Sequence, residues 1–130
     1  MKQLIVDTNP FLRFLLNDIP YQKKEFEKLL NQAKKSELTL LVPQIVIFEI
    51  SFALEKYYQF SKEEIIDKLR SIVEAPYLEV ADSHIFRNSI KLYSELDLSL
   101  VDCFLLAISK QKEVEVFTFD KNLQKLLKQA

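Results

Sequence analysis

A chain of 130 residues suits one compact domain, and 48% hydrophobic residues is enough for a real core, which excludes the disordered and fibrous classes. Because 18 Lys and Arg residues nearly balance 19 Asp and Glu residues, the formal net charge of −1 provides no global basic field, and a nucleic acid would need a local patch. One cysteine and one histidine exclude a disulfide framework and a zinc site of several Cys and His ligands, and they favour the reducing cytoplasm.

Glycine is absent, so neither a phosphate-binding P-loop nor a dinucleotide-binding glycine fingerprint can be built, and we expect no nucleotide cofactor. The longest apolar run, residues 103–108, is too short to span a bilayer. Polar residues interrupt the N-terminal segment where a signal peptide would need an apolar core. The sequence therefore predicts a soluble protein without a membrane partner.

Strand patterns alternate with helical patterns along the chain. Short apolar runs predict strands at residues 2–6, 39–42, 77–80 and 115–119. Amphipathic spacing and capping residues predict helices at residues 10–16, 21–35, 43–58, 61–73, 82–96, 99–108 and 121–128. This alternation favours an α/β fold over residues 1–130, with a mostly parallel sheet and helices on both of its faces.

Asp7 directly follows the first predicted strand. Ligands of open parallel sheets bind beyond the carboxyl ends of the strands, so Asp7 is a candidate functional residue. The alternative is structural: Asn9 could cap a helix that begins at Pro10, with Asp7 and Thr8 as turn residues. Taken alone, this stretch favours capping.

Three further acids stand at comparable places. Glu49 lies on the apolar side of its helix, so we expect it to be buried and to need a cation, a hydrogen-bond network or a raised pKa; a snorkelled or locally paired glutamate is an equal alternative. Asp102 lies three residues after Ser99 and could complete a capping box. Asp120 follows the last predicted strand, and it could cap the last helix or act beside Asp7.

Four acids at strand ends or buried helix positions are harder to explain by capping alone. Gathered carboxylates would repel one another and demand a cation. Hard oxygen ligands select Mg²⁺ or Mn²⁺ over zinc or copper. The candidate catalytic and metal-binding residues are Asp7, Glu49, Asp102 and Asp120.

Four motifs carry a resemblance to a known family. They are Asp-Thr-Asn at residues 7–9, Pro-Gln-Ile-Val-Ile-Phe-Glu at 43–49, Asp-Cys-Phe-Leu-Leu-Ala at 102–107 and Thr-Phe-Asp at 118–120. The sequence resembles the PIN-domain nucleases, and most closely the VapC-type toxin ribonucleases, over nearly its whole length. The resemblance implies a three-layer α/β/α PIN-like domain with a mostly parallel central sheet of four or five strands.

The resemblance also implies a function: a Mg²⁺- or Mn²⁺-dependent endoribonuclease, the toxin of a type II toxin–antitoxin pair. It implies that the four acids bind the metal and that Asn9 and Thr118 hold carboxylates or solvent in place. The implied partners are an RNA substrate, a cognate antitoxin and a second copy of the chain in a homodimer. From the net charge we expect RNA to bind a local basic face, for which the candidates are Arg13, Lys23, Lys24, Lys56 and Lys121. Arg13 also fits an ordinary polar helix position.

Two other function classes remain open. A PIN-like fold could be kept only for binding RNA or protein, although the presence of all four acids weighs against that. An aspartate-based phosphoacceptor or phosphatase is less consistent with the sequence. A receiver would need a lysine where Asp120 stands, and the phosphatase would need an aspartate where Asn9 stands.

Overall fold

The computed structural model describes residues 2–129, which divide into two compact units at the start of the fifth helix, between Ser83 and His84. The first unit contains β1 (Lys2–Ile5), α1 (Thr8–Leu16), α2 (Pro20–Lys34), β2 (Leu38–Val42), α3 (Gln44–Lys56), α4 (Lys62–Val73) and β3 (Leu78–Val80). The remaining helices are α5 (Ser83–Glu95), α6 (Leu100–Lys112) and α7 (Lys121–Gln129). The expectation of a single domain over residues 1–130 stays a prediction.

The first unit is built on a parallel sheet with the strand order β1-β2-β3. Its register aligns Ile5 with Leu41 and Val42 with Val80. Helices connect each strand to the next, as parallel pairing requires. Along the central strand, alternate side chains are buried, namely Leu38, Leu40 and Val42. The predicted α/β class with a parallel sheet is confirmed.

The sheet has three strands over the described residues, rather than the four or five expected. The strand predicted at residues 115–119 was wrong, because residues 114–120 have no regular secondary structure. Phe117 and Phe119 are 87% and 85% exposed. β-Branched and aromatic residues favour a half-buried pleated surface, but a strand also needs a backbone partner. Here Val114 exchanges hydrogen bonds with Ser109 instead, and the carbonyl of Thr118 accepts from the Gln124 side chain at 2.7 Å.

Helix α2 covers the core of the first unit with the apolar stripe predicted for it. Phe26, Leu30 and Ala33 are buried, while most of the charged side chains face solvent. The ring of Phe26 lies edge-on to Phe11 of α1, with ring centroids 5.2 Å apart. Aromatic pairs favour this geometry because a positive ring edge meets a negative ring face. The contact fixes α1 against α2.

Capping side chains mark the starts of several helices, with two corrections to the predictions. Helix α1 begins at Thr8 and its cap is Asp7, so the expected Asn9 cap at Pro10 was wrong. The sequence also predicts that Asp82 caps the next helix, which was wrong, because Asp82 has φ of 55°, unlike an N-cap, and its carboxylate accepts from the Gln44 side chain at 3.0 Å. In both cases the side-chain hydrogen bonds differ from those that the sequence pattern predicts.

Ser61 followed three residues later by Glu64 predicts a capping box, and the start of α4 confirms it. The Ser61 hydroxyl accepts from the Glu64 backbone N–H, and the Glu64 carboxylate accepts from the Ser61 backbone N–H. The bonds from the backbone and then the hydroxyl of Ser61 hold the pKa of Glu64 below its ordinary value. Over residues 2–129, none of the helices combines the length and the apolar character needed to cross a membrane.

Candidate functional site

Asp7 lies at the carboxyl end of β1, where the sequence predicted it. The strand pairing continues through Val6, whose N–H donates to the Leu41 carbonyl at 2.9 Å. Val6 is buried, whereas Asp7 is exposed. One Asp7 carboxylate oxygen accepts from the Thr8 N–H at 2.8 Å, at the N-terminus of α1. A helix N-terminus is a favourable place for an acidic side chain, because its unpaired N–H groups point outward.

Glu49 of α3 is tied to the same place by a side-chain hydrogen bond. The Thr8 hydroxyl donates to Glu49 Oε1 at 3.0 Å, across 41 residues of sequence. Asp7 and Glu49 therefore contact opposite groups of one residue, the backbone N–H and the hydroxyl of Thr8. The structure brings these two candidate acids together through Thr8.

The expected burial of Glu49 was wrong, because its carboxylate side of α3 is exposed. Ile45 and Phe52, which share that side by helical spacing, are 65% and 55% exposed. The buried residues of α3 are Val46, Ile47, Ile50, Ser51, Ala53 and Leu54. Since apolar residues surround most of this helix, its sequence pattern does not specify which side faces the core. Of the two equal alternatives, the exposed carboxylate matches a snorkelled glutamate, whereas its partner Thr8 lies 41 residues away in sequence and is not local.

Thr8 is the functional candidate that sequence reasoning missed. Asn9, the predicted supporting residue, is exposed in the first turn of α1 and lines a cleft between α1 and α2. Thr8 instead makes the contacts to both carboxylates. The available signal was a hydroxyl residue directly after the strand-end acid. The hydroxyl's partner, Glu49, lies 41 residues away on α3, so the sequence around Thr8 does not identify this contact.

In the second unit, the start of a helix places each acid. Asp102 is half-buried in the first turn of α6, and its backbone N–H donates to the Ser99 hydroxyl at 3.1 Å. This cap uses only the backbone of Asp102. Asp120 is exposed, and one carboxylate oxygen accepts from the Leu123 N–H at 2.8 Å, an N-cap for α7. The Thr118 hydroxyl accepts from the Asp120 backbone N–H at 3.1 Å, so its contact is with the backbone and not with the carboxylate.

The candidate RNA-binding cations have intramolecular contacts of their own. Arg13 lies 3.3 Å from Asp18, Lys23 lies 5.6 Å from the ring centre of Phe14, and Lys56 lies 3.2 Å from Glu55. Lys24 and Lys121 are exposed, on α2 and α7. Most of these contacts are at the surface and weak, so they do not prevent a lysine from turning to a phosphate.

The fit of a divalent metal can be judged from the donor chemistry. Neither unit, over residues 2–129, contains a group of three or more His, Cys, Asp or Glu side chains that could hold a metal ion. The first unit offers the pair Asp7 and Glu49, both exposed and both oriented by Thr8. Mg²⁺ retains several waters and is usually bound through one or two carboxylates together with substrate phosphates. The pair therefore fits a hydrated Mg²⁺ or Mn²⁺ ion.

Comparisons with known proteins agree with the resemblance found in the sequence. A family model described as PIN domain matches residues 4–128. Among curated proteins, the chain is similar to the VapC ribonuclease of Aquifex aeolicus (strain VF5), with 29% identity over 126 residues, covering 94% of this chain and 90% of that protein. No solved structure matches it significantly. The family match spans almost the whole sequence and confirms the resemblance, and the chain belongs to the PIN domain family.

Proposed function

We propose that the protein is a Mg²⁺- or Mn²⁺-dependent endoribonuclease and the toxin of a type II toxin–antitoxin pair. The observation that carries this proposal is the Thr8-linked pair of Asp7 and Glu49 at the carboxyl end of β1 in a PIN domain. Helix capping gives no reason for Glu49 to meet the start of α1. A site that orients two carboxylates for a hydrated cation does give one.

In the proposed site, the metal ligands in the first unit are Asp7 and Glu49, and the assignment of Asp102 and Asp120 as further ligands stays a prediction. The bound ion would neutralise phosphoryl oxygens and activate water for phosphodiester hydrolysis. Thr8 holds the Asp7 and Glu49 carboxylates in place for the ion. In the second unit, the Thr118 hydroxyl accepts from the backbone N–H of Asp120. No protein nucleophile is needed for this chemistry.

The proposal includes the partners that accompany this function. RNA is the substrate, and a cognate antitoxin protein occludes the site in a complex with a homodimer of this chain in the cytoplasm. The name of the similar protein, VapC ribonuclease, supports the RNA substrate. A short adjacent reading frame that encodes a DNA-binding segment and a tail would distinguish a toxin from a housekeeping nuclease.

A catalytically silent binding module is the second candidate, and an RNA cleavage panel separates the two. The purified protein is incubated with single-stranded and structured RNAs in Mg²⁺, in Mn²⁺ and in chelator, beside Asp7→Asn and the matched control Asp67→Asn from α4. We expect cleavage only with metal, lost in Asp7→Asn and retained in Asp67→Asn. Cleavage that survives both chelation and Asp7→Asn would exclude the metal mechanism. A metal-dependent phosphatase signal without cleavage would favour the phosphoacceptor class.

A further inference from the structure

A cleft of about 290 Å³ separates α1 from α2 next to the candidate site. Its walls include Asn9 and Arg13 from α1, and Gln22, Glu25 and Phe26 from α2. Asn9 is two residues beyond Asp7, so a nucleotide bound at the carboxyl end of β1 would be adjacent to the cleft. The volume is near the lower end of the roughly 300–1,000 Å³ typical of small-molecule sites. A single planar base suits such a space.

Arg13 is the cation of this cleft, and its hydrogen bonding is incomplete. The side chain is 13% exposed and lies 3.3 Å from both the Asp18 carboxylate and the Tyr58 hydroxyl. Those distances exceed the roughly 2.7–2.9 Å of a strong charge-assisted bond. Its buried Nε has no acceptor among residues 2–129. Because an unpaired buried N–H is costly, a small rotation of the guanidinium toward an entering acceptor would be favourable.

The other walls supply the opposite polarity and an apolar base. Glu25 is exposed at the cleft and presents a carboxylate acceptor. Phe26 is 4% exposed and forms the apolar base of the cleft, where its ring is held edge-on by Phe11 and Phe14 at 5.2 and 6.2 Å. Asn9 and Gln22 carry amides that can donate and accept. The ligand that matches is planar, with acceptors for Arg13 and donors for Glu25.

We propose that the α1–α2 cleft recognises a guanine base of the RNA beside the scissile phosphate. Guanine offers O6 and N7 acceptors, the pair that arginine binds most often, and its adjacent N1–H and N2–H donors match a carboxylate. Adenine, cytosine and uracil each lack that adjacent donor pair. The inference rests on the proposed ribonuclease function and adds a determinant of base specificity to it.

The test compares Glu25→Gln with Glu27→Gln, a matched change on the same helix outside the cleft. A randomised RNA library is cleaved with Mg²⁺ or Mn²⁺, and the products are sequenced. For the parent and Glu27→Gln we expect guanine enriched about tenfold next to the cut, a modest value for one bidentate base contact. Glu25→Gln should lose most of that enrichment, and because its side chain is exposed, the change disturbs no buried packing.

A binding measurement separates this inference from the proposed function. The parent is titrated with guanosine, adenosine, cytidine and uridine 5′-monophosphates, and backbone amide shifts of α1 and α2 are followed by NMR. Selective guanosine monophosphate binding that Glu25→Gln weakens supports the cleft even if no RNA is cut. Cleavage without guanine preference, or with a preference that Glu25→Gln leaves unchanged, overturns the cleft assignment and leaves the ribonuclease proposal standing.

Discussion

Asp7 and Glu49 in the first unit share Thr8 as a hydrogen-bond partner, whereas each acid of the second unit is placed by the start of its own helix. Asp120 caps α7, and the cap of α6 uses the backbone of Asp102. Capping thus accounts for the position of Asp120, but not for a glutamate of α3 meeting the first turn of α1. The difference shows that a contact between distant segments, which local helix chemistry cannot supply, is the stronger indication of a functional role.

The largest effect is expected from removing the charge of Glu49. We expect Glu49→Gln to lower RNA cleavage by more than the roughly 10–100-fold that loss of a supporting residue costs, because it removes a proposed metal ligand. Glu55→Gln is the matched control, since Glu55 is exposed on the same helix and pairs with its neighbour Lys56. Initial rates of both variants decide the comparison. Equal cleavage rates in the two variants would show that Glu49 is a structural partner of Thr8 and not a metal ligand.

Asp102→Asn tests whether the Asp102 carboxylate, which the Ser99 cap does not use, binds the metal. The Ser99 cap persists in the variant because it uses the backbone N–H, so metal-free stability should equal or exceed that of the parent. Metal at a hundredfold excess over its dissociation constant should stabilise the parent by about 2.7 kcal/mol, and the variant should lose most of that gain. Denaturation of both proteins in chelator and in Mg²⁺ or Mn²⁺ measures it. Equal metal-induced shifts would remove Asp102 from the site.

Thr8→Val tests the hydrogen bond between the Thr8 hydroxyl and the Glu49 carboxylate. Valine keeps the shape but removes the hydroxyl that Glu49 accepts from, so we expect cleavage to fall about 10–100-fold. As a positioning effect, the loss should be partly recovered at higher Mg²⁺ or Mn²⁺, and Thr8→Ser should restore activity at ordinary metal concentrations. A loss that neither more metal nor serine relieves would indicate damage to the start of α1 instead.

Two substitutions of Asp120 distinguish its role as a helix cap from a role in RNA cleavage. Asp120→Ala should cost about 0.5–2 kcal/mol of unfolding free energy, because Leu123 loses its acceptor. Asp120→Asn should retain most of that stability, since asparagine caps well, while cleavage is lost in both variants. Chemical denaturation combined with cleavage rates measures the two effects. Full activity in Asp120→Asn would leave the residue as a cap only.

The smallest effect concerns the complete capping box of α4, which contrasts with the backbone-only cap at Asp102. Ser61 holds the pKa of Glu64 below its unfolded value, so the ionised carboxylate stabilises the fold above about pH 4.5 and this contribution disappears as pH falls through the lowered folded-state pKa. Denaturation of the parent and Glu64→Gln from pH 6 to pH 3 should show the parent's advantage shrinking over that range. An advantage that is constant with pH would contradict the assignment.

Much of this arrangement was predictable because it follows from local interactions. The helices and first three strands were predicted to within a few residues, and Asp7 was placed at its strand end. The Ser61 box and the Ser99 cap also followed from spacing alone. The strand predicted at 115–119 failed because its composition is suited to a sheet, while its backbone bonds go to nearby helix residues.

The sequence alone determined the helices, the first three strands, their order and the family, since propensity, helix caps and apolar periodicity act over a few residues and the motifs are contiguous. The tertiary structure decided which side of α3 faces the core, and hence that Glu49 is exposed and bonded to Thr8. Because α3 has apolar residues on most of its sides, its sequence pattern is consistent with several rotations of the helix about its axis. Packing of α3 against its neighbours removes that equivalence, because only one orientation buries Ile47, Ile50 and Leu54 together.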